Sequence, residues 1–163
     1  MRLIHYSDSP LLRVHSVSQS GEGYEWHDGR KPVGLWVSVE GDDDWREWCR
    51  AEDFRDVDAQ FATEVVLAPA HRVLVVGTGV ALELLSKRYG YRDERYGKWS
   101  SLRIDWPRLA HEHDGIIIAP YQWKHRLDGE VSGWYYSWDC ASGCIWNADA
   151  VEGLKPIRDQ IAA

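Results

Sequence analysis

The residues that could do chemistry fall in a few short stretches. Cys140 and Cys144 stand four positions apart in Cys140-Ala141-Ser142-Gly143-Cys144, with Cys49, His111, His113 and His125 elsewhere in the chain. A structural zinc site needs about four N or S ligands in tetrahedral array, and no second paired cluster completes one. The spacing is also wrong for a redox pair, so small buried thiols are the expectation. Gly77-Thr78-Gly79, between an apolar run and a helical pattern, suggests a dinucleotide fingerprint. Leu82 occupies the place of the third glycine, and no acidic ribose partner follows a βαβ unit, so a tight strand-to-helix turn is expected instead. His5 closes an apolar run and precedes Tyr6-Ser7-Asp8. Taken alone, it reads as a structural histidine at a strand end.

The elements that must position these groups follow from periodicity. Residues 3–6 and 11–17 read as two strands around Ser7-Asp8-Ser9-Pro10, and residues 18–31, rich in Gly and charge, as a long loop. In residues 33–39, Val33, Leu35, Val37 and Val39 alternate with Gly34, Trp36 and Ser38, the signature of a strand. Asp42-Asp43-Asp44 favours a helix start, and Trp45, Trp48 and Cys49 then share one helical face, expected to pack into the core. Residues 61–67 and 72–76 read as strands about Pro69. Thr78 is placed to cap a helix reaching residue 88, with Val80, Leu84 and Leu85 facing inward.

A charged, Tyr-rich segment over residues 89–98 leads to a helix over residues 107–113 with Pro107 in its first turn. Ile116-Ile117-Ile118 is the apolar run of a strand covered on both faces, expected to be central. Residues 121–132 form a second long polar connection before Trp134 to Trp138 and a strand at 144–146. The tail over 151–161 reads as a closing helix or an extended pass.

The chain has 163 residues, the size of one domain, with no repeat or interdomain linker. It carries ten Trp against two Phe, so flat side chains with a polar N–H either cement the core or line a site. With 19 basic against 26 acidic side chains the net charge is −7, which disfavours generic nucleic-acid binding. The odd count of three Cys and the lack of a leader-like apolar stretch predict free thiols in the cytoplasm. No run approaches the about 18 apolar residues of a membrane helix.

Three stretches together resemble the ADP-ribosyltransferase superfamily: Leu3-Ile4-His5-Tyr6-Ser7, Gly34-Leu35-Trp36-Val37-Ser38, and His113-Asp114-Gly115-Ile116-Ile117-Ile118 with Cys144-Ile145-Trp146-Asn147 and Gly153-Leu154-Lys155-Pro156-Ile157 behind it. The resemblance implies an α+β fold, a split β-sandwich of two small, mostly antiparallel sheets with flanking helices. It also implies NAD as substrate, with His5 on a ribose, Tyr6 and Ser7 beside it, and Trp36 with Ser38 beside the nicotinamide. The family commonly carries a Glu at the start of the penultimate strand, where this chain has Ser142-Gly143. Asp139 is the nearest carboxylate able to take its place, with Glu130 and Glu152 as outside candidates. Arg13 or Lys31 would meet the pyrophosphate.

Cleaving the nicotinamide bond needs a clamp on the ribose, an aromatic wall and negative charge near the developing cation, tasks suited to His5, Trp36 and Asp139. The expected function is a mono-ADP-ribosyltransferase acting on a protein or nucleic-acid acceptor. The alternatives are a non-catalytic interaction module of inhibitor or immunity type on the same fold, with Trp anchors on its surface, and a carbohydrate or nucleobase binder using Trp platforms. Exposure separates them: Trp36, Trp123 and Trp138 around one concavity with His5 would favour the nucleotide site.

Overall fold

The computed structural model describes residues 1–20, 31–92 and 101–158. Most of the loop expected over 18–31, most of the Tyr-rich segment and the end of the tail lie outside the described residues.

The described residues form nine strands and three α-helices: β1 (Leu3–Ser7), β2 (Leu35–Val39), α1 (Trp45–Ala51), β3 (Phe61–Leu67), β4 (Val73–Val76), α2 (Gly79–Tyr89), β5 (Gly90–Arg92), β6 (Leu102–Ile104), α3 (Trp106–Glu112), β7 (Gly115–Ile118), β8 (Ser142–Ile145) and β9 (Val151–Arg158). The fold is α+β. Seven strands hydrogen-bond in the order β4-β7-β8-β2-β1-β3-β9, and β5 pairs β6 as a separate ribbon. All pairings are antiparallel except β4 with β7.

The two sheets expected from the sequence are therefore one hydrogen-bonded order, for a local reason. β8 pairs β7 on one edge and β2 on the other, joining the two groups of strands. Close contact across β8 depends on Gly143, where a Cβ would stand 2.6 Å from the Ile116 carbonyl oxygen and 2.7 Å from Ile117 Cγ1. β7 is buried along its whole length, as its sequence predicts, but it lies second from the β4 edge rather than centrally. The middle place belongs to β2.

Helix starts follow their capping residues. The Asp44, Thr78 and Asp105 side chains accept from the amides of Glu47, Ala81 and Arg108, and Pro107 sits in the first turn of α3. Thr78 thus acts as the cap of a strand-to-helix turn, and the missing Cβ of Gly79 leaves room for the His125 ring. The inward face of α2 differs from expectation: Leu82, Leu85, Ser86 and Tyr89 are buried, whereas Val80 and Leu84 face outward. The inward set follows i, i+3, i+4, i+7, so residues 80 and 84 fall off the stripe.

Residues 8–20 contain no strand, contrary to the reading of 11–17. That stretch is tied down by scattered bonds, including Val17 N–H to the Trp146 carbonyl (2.8 Å) and a pair at Val33, whose carbonyl accepts from the Gln19 side-chain amide (2.7 Å) and whose N–H donates back to it (3.1 Å). The tail forms β9, which pairs with β3 over almost its whole length.

The core lies between the β7-β8-β2 region, helices α2 and α3 and residues 134–138, and its largest side chains are aromatic. Trp106, Trp134, Tyr135 and Trp138 are fully buried beside Ile116, Ile117, Ile118, Leu82 and Leu109. Trp134 donates its indole N–H to Ser86 Oγ at 2.8 Å, the partner a buried indole needs. Asp114, at the head of β7, accepts from the Arg72 backbone and guanidinium and from the Asn147 amide. Burial pushes its carboxyl up, but the bonds from Arg72 and Asn147 outweigh that and hold it below the usual carboxylate range. Asp114 is thereby an anchor of the strand. Among the described residues, no helix is long and apolar enough to cross a membrane.

Candidate functional site

The cleft opens where two neighbouring strands part company. β1 and β2 pair only at Leu3 with Val39 and Ile4 with Ser38. Beyond Ile4, β1 continues along β3 through Ser7, while β2 continues along β8 through Leu35. His5 stands at this fork, and its Nδ1 lies 2.7 Å from the Trp36 carbonyl oxygen, a side-chain bond where the backbone ladder has stopped. A carbonyl only accepts, so Nδ1 carries the proton. Burial lowers the His5 pKa against the opposing effect of that bond, which keeps the ring neutral near pH 7 and leaves Nε2 as an acceptor.

The fork leads into a cavity of about 500 Å³ lined by His5, Tyr6, Trp36 and Ser38, by Asp139, Cys140 and Ser142 before and on β8, and by Lys31. Its outer wall is aromatic. Trp45 and Trp48 of α1 stack at 5.0 Å between ring centroids, and Phe54 lies 5.2 Å from Trp48, with Arg55 over the Phe54 ring at 5.2 Å. These two Trp were expected in the core. Only Cys49 of that stripe is buried, because α1 lays Trp45 and Trp48 against the cavity and each other instead of against a second element.

Each expected site residue has a definite place. Ser38 is buried and its hydroxyl accepts from the Trp45 amide at 2.9 Å, which ties β2 to the start of α1 while the hydroxyl proton stays free to donate. Trp36 is backed edge-on by the buried Trp138 at 4.9 Å, so its ring is braced from behind. Asp139 is about one third exposed and lies 3.4 Å from Lys31 Nζ. Ser142, at the position where the family resemblance puts Glu, also lines the cavity, and its hydroxyl donates to the Cys140 carbonyl.

Two expected residues are not brought there. Ser7 donates its hydroxyl to the Ser9 carbonyl, and Arg13 is exposed; neither lines the cavity. Glu130 and Glu152 are exposed and away from it as well. Trp123 is 56% exposed and donates its indole N–H to Asp43, so it does not join Trp36 inside.

Trp45, Trp48, Phe54, Arg55 and Gln60 also line the cavity. Their signal in the sequence was faint: two Trp in a helix of seven residues, with Arg46 and Glu47 between them, is much aromatic surface for so short an element to bury. Cys140 is excluded as a nucleophile, since burial pushes its thiol up to about 12, and burial raises the Cys144 thiol further. All three cysteines are buried and unbridged.

The cavity can thus accept a flat ring against Trp36 or the α1 aromatics and a hydroxyl at His5 Nε2. Its charged walls are Lys31 with Asp139 inside and Arg55 at the mouth. No family model, no curated protein and no solved structure matches this chain.

Proposed function

We propose that this chain is an NAD-dependent mono-ADP-ribosyltransferase acting on a protein or nucleic-acid acceptor, and that its seven-stranded sheet is a variant of the split β-sandwich of the ADP-ribosyltransferase kind whose two halves are joined through β8. The observation that carries the reading is the fork after Ile4. It gives His5 a fixed tautomer and a free acceptor nitrogen beside Trp36, Ser38 and Asp139 in one cavity. In this reading His5 Nε2 accepts from a ribose hydroxyl, Trp36 and Ser38 flank the nicotinamide, and Tyr6 adds to the wall. Arg55, at the mouth, replaces Arg13 as the cation for the pyrophosphate.

The reaction breaks the bond between the anomeric carbon and the nicotinamide nitrogen. The electron pair leaves with nicotinamide, which departs neutral, and positive charge grows on the ribose. That charge comes from the nicotinamide ring, and Asp139 speeds the step by the amount by which it favours the charge on the ribose over the charge on the ring, which is the condition for rate enhancement. The acceptor then attacks the anomeric carbon and loses its proton to solvent. Calorimetric titration of NAD, with nicotinamide release measured on the same sample, tests the proposal. Saturable binding with slow release supports it; neither binding nor release overturns it.

The second reading is the non-catalytic interaction module. Trp123 and Tyr136, each more than half exposed, with Arg126 over both rings at 6.0 and 5.9 Å, favour a surface that contacts another protein. Under the transferase reading the same surface meets the acceptor. Against a spread Trp surface, Trp123 is the only exposed tryptophan among the described residues.

A further inference from the structure

Lys31 holds its ammonium inside the cleft rather than in solvent. Nζ lies 5.1 Å from the centroid of the Trp36 ring and 3.4 Å from Asp139 Oδ2, and all three residues line the same cavity. An aromatic face and a carboxylate on one cation form the recognition pattern of a cation subsite. Arg55 at the mouth is turned to Phe54 and, at 4.0 Å, to Asp8, so it does not share this corner. The Lys31 contact is a weak tether. It is a single ion pair with side chains 36% and 29% exposed, on a flexible four-carbon stem, and such pairs contribute little.

We propose that the Trp36–Asp139 corner is a subsite for a planar organic cation of the pyridinium type, and that Lys31 is its intramolecular occupant, displaced when the ligand enters. Lys31 then sets affinity and charge selectivity in the corner. A pyridinium offers the same charge to Asp139 and a far larger flat surface to Trp36, so it replaces both contacts that the ammonium gives up. The inference deepens the transferase reading, because the nicotinamide of NAD is a pyridinium, but the corner can be probed without any nucleotide.

The probes are 1-methylnicotinamide, a cation, and nicotinamide, its neutral counterpart, titrated by calorimetry into the wild type, Lys31→Met and Lys31→Arg. Lys31→Met keeps the stem and removes the charge. It should bind the cation about tenfold more tightly, the size of one cation–π contact plus a half-exposed ion pair, while nicotinamide affinity shifts by no more than about twofold. Lys31→Arg should behave as the wild type, and Lys31→Gln serves in place of Lys31→Met should that variant fold poorly.

Equal gains for both probes would mean mere steric opening and overturn the proposal. So would unchanged or weakened cation binding, or no binding of the cation to any variant. Loss of NAD affinity in Lys31→Met with cation binding unchanged would make Lys31 a phosphate contact instead. The expected probe pattern in a protein that neither binds nor cleaves NAD would remove the transferase reading and leave the cation subsite standing.

Discussion

Replacing His5 by Ala removes two interactions that can be read separately. The first is the 2.7 Å bond to the Trp36 carbonyl at the fork between β1 and β2. Losing it, with the carbonyl left short of a partner in a half-buried place, should cost about 1–2 kcal/mol of folding stability. The second is the acceptor at Nε2. Removing one partner of a sequestered hydrogen bond costs roughly 1–3 kcal/mol, or about one to two decades in affinity for NAD. Urea unfolding reports the first and calorimetry the second. His5→Phe, which keeps the ring volume and lacks both nitrogens, should lose as much affinity as His5→Ala.

The pH dependence sharpens the test. Burial lowers the folded-state pKa of His5 below its ordinary 6.5, so the unfolded chain takes up the proton first and stability from this residue falls as pH drops below 6.5. Once protonated, Nε2 becomes a donor and no longer accepts from the ribose hydroxyl. NAD affinity of the wild type should hold above pH 6.5 and decline below it, and the His5→Ala variant should lack that decline. A His5→Ala protein that binds NAD as the wild type does, with only its urea midpoint lowered, would refute the reasoning and leave His5 as a strap between strands.

Asp139→Asn should slow nicotinamide release by about ten- to a hundredfold, less than a fully preorganised charge contributes because Lys31 already offsets part of it, and should weaken NAD binding by up to about tenfold because the same carboxylate faces the pyridinium ring; unchanged release removes Asp139 from the mechanism. Gly143→Ala, which puts a Cβ 2.6 Å from the Ile116 carbonyl oxygen, should lower stability by about 1–3 kcal/mol in urea unfolding. The buried thiols of Cys140 and Cys144 should resist a thiol reagent in the native protein and react on unfolding. Because their folded pKa values are raised above the ordinary 9.0, the unfolded chain loses these protons first. Stability should therefore fall as pH rises above 9, and a flat profile from pH 8 to 11 would count against it.

By itself the sequence determined the features that depend on near neighbours. Alternation in Leu35–Val39, the acidic helix start at Asp42-Asp43-Asp44, the cap at Thr78, Pro107 in a first helical turn and the Ile116-Ile117-Ile118 run are local, and those elements formed close to where their residues placed them. His5, Trp36 and Ser38 stand in or at the end of recognisable strands, but they became candidates only through the resemblance of those stretches to the ADP-ribosyltransferase pattern. Strand pairing was not legible, since it is set by contacts between residues far apart. The extended tail could close the sheet on β3 only once that edge existed, and the same holds for β8, whose two pairings turned an expected pair of sheets into one.

The phase of an amphipathic helix shows which residues share a face but not what lies opposite. So Trp45 and Trp48 were visible as a stripe, while only the tertiary structure turned that stripe to a cavity. The fork after Ile4, the bond from His5 to Trp36 and the meeting of Lys31 with Asp139 across 108 positions of chain arise in the same way. Each is a junction of segments whose local preferences are silent about one another, and only the packing of the whole sheet brings them within reach.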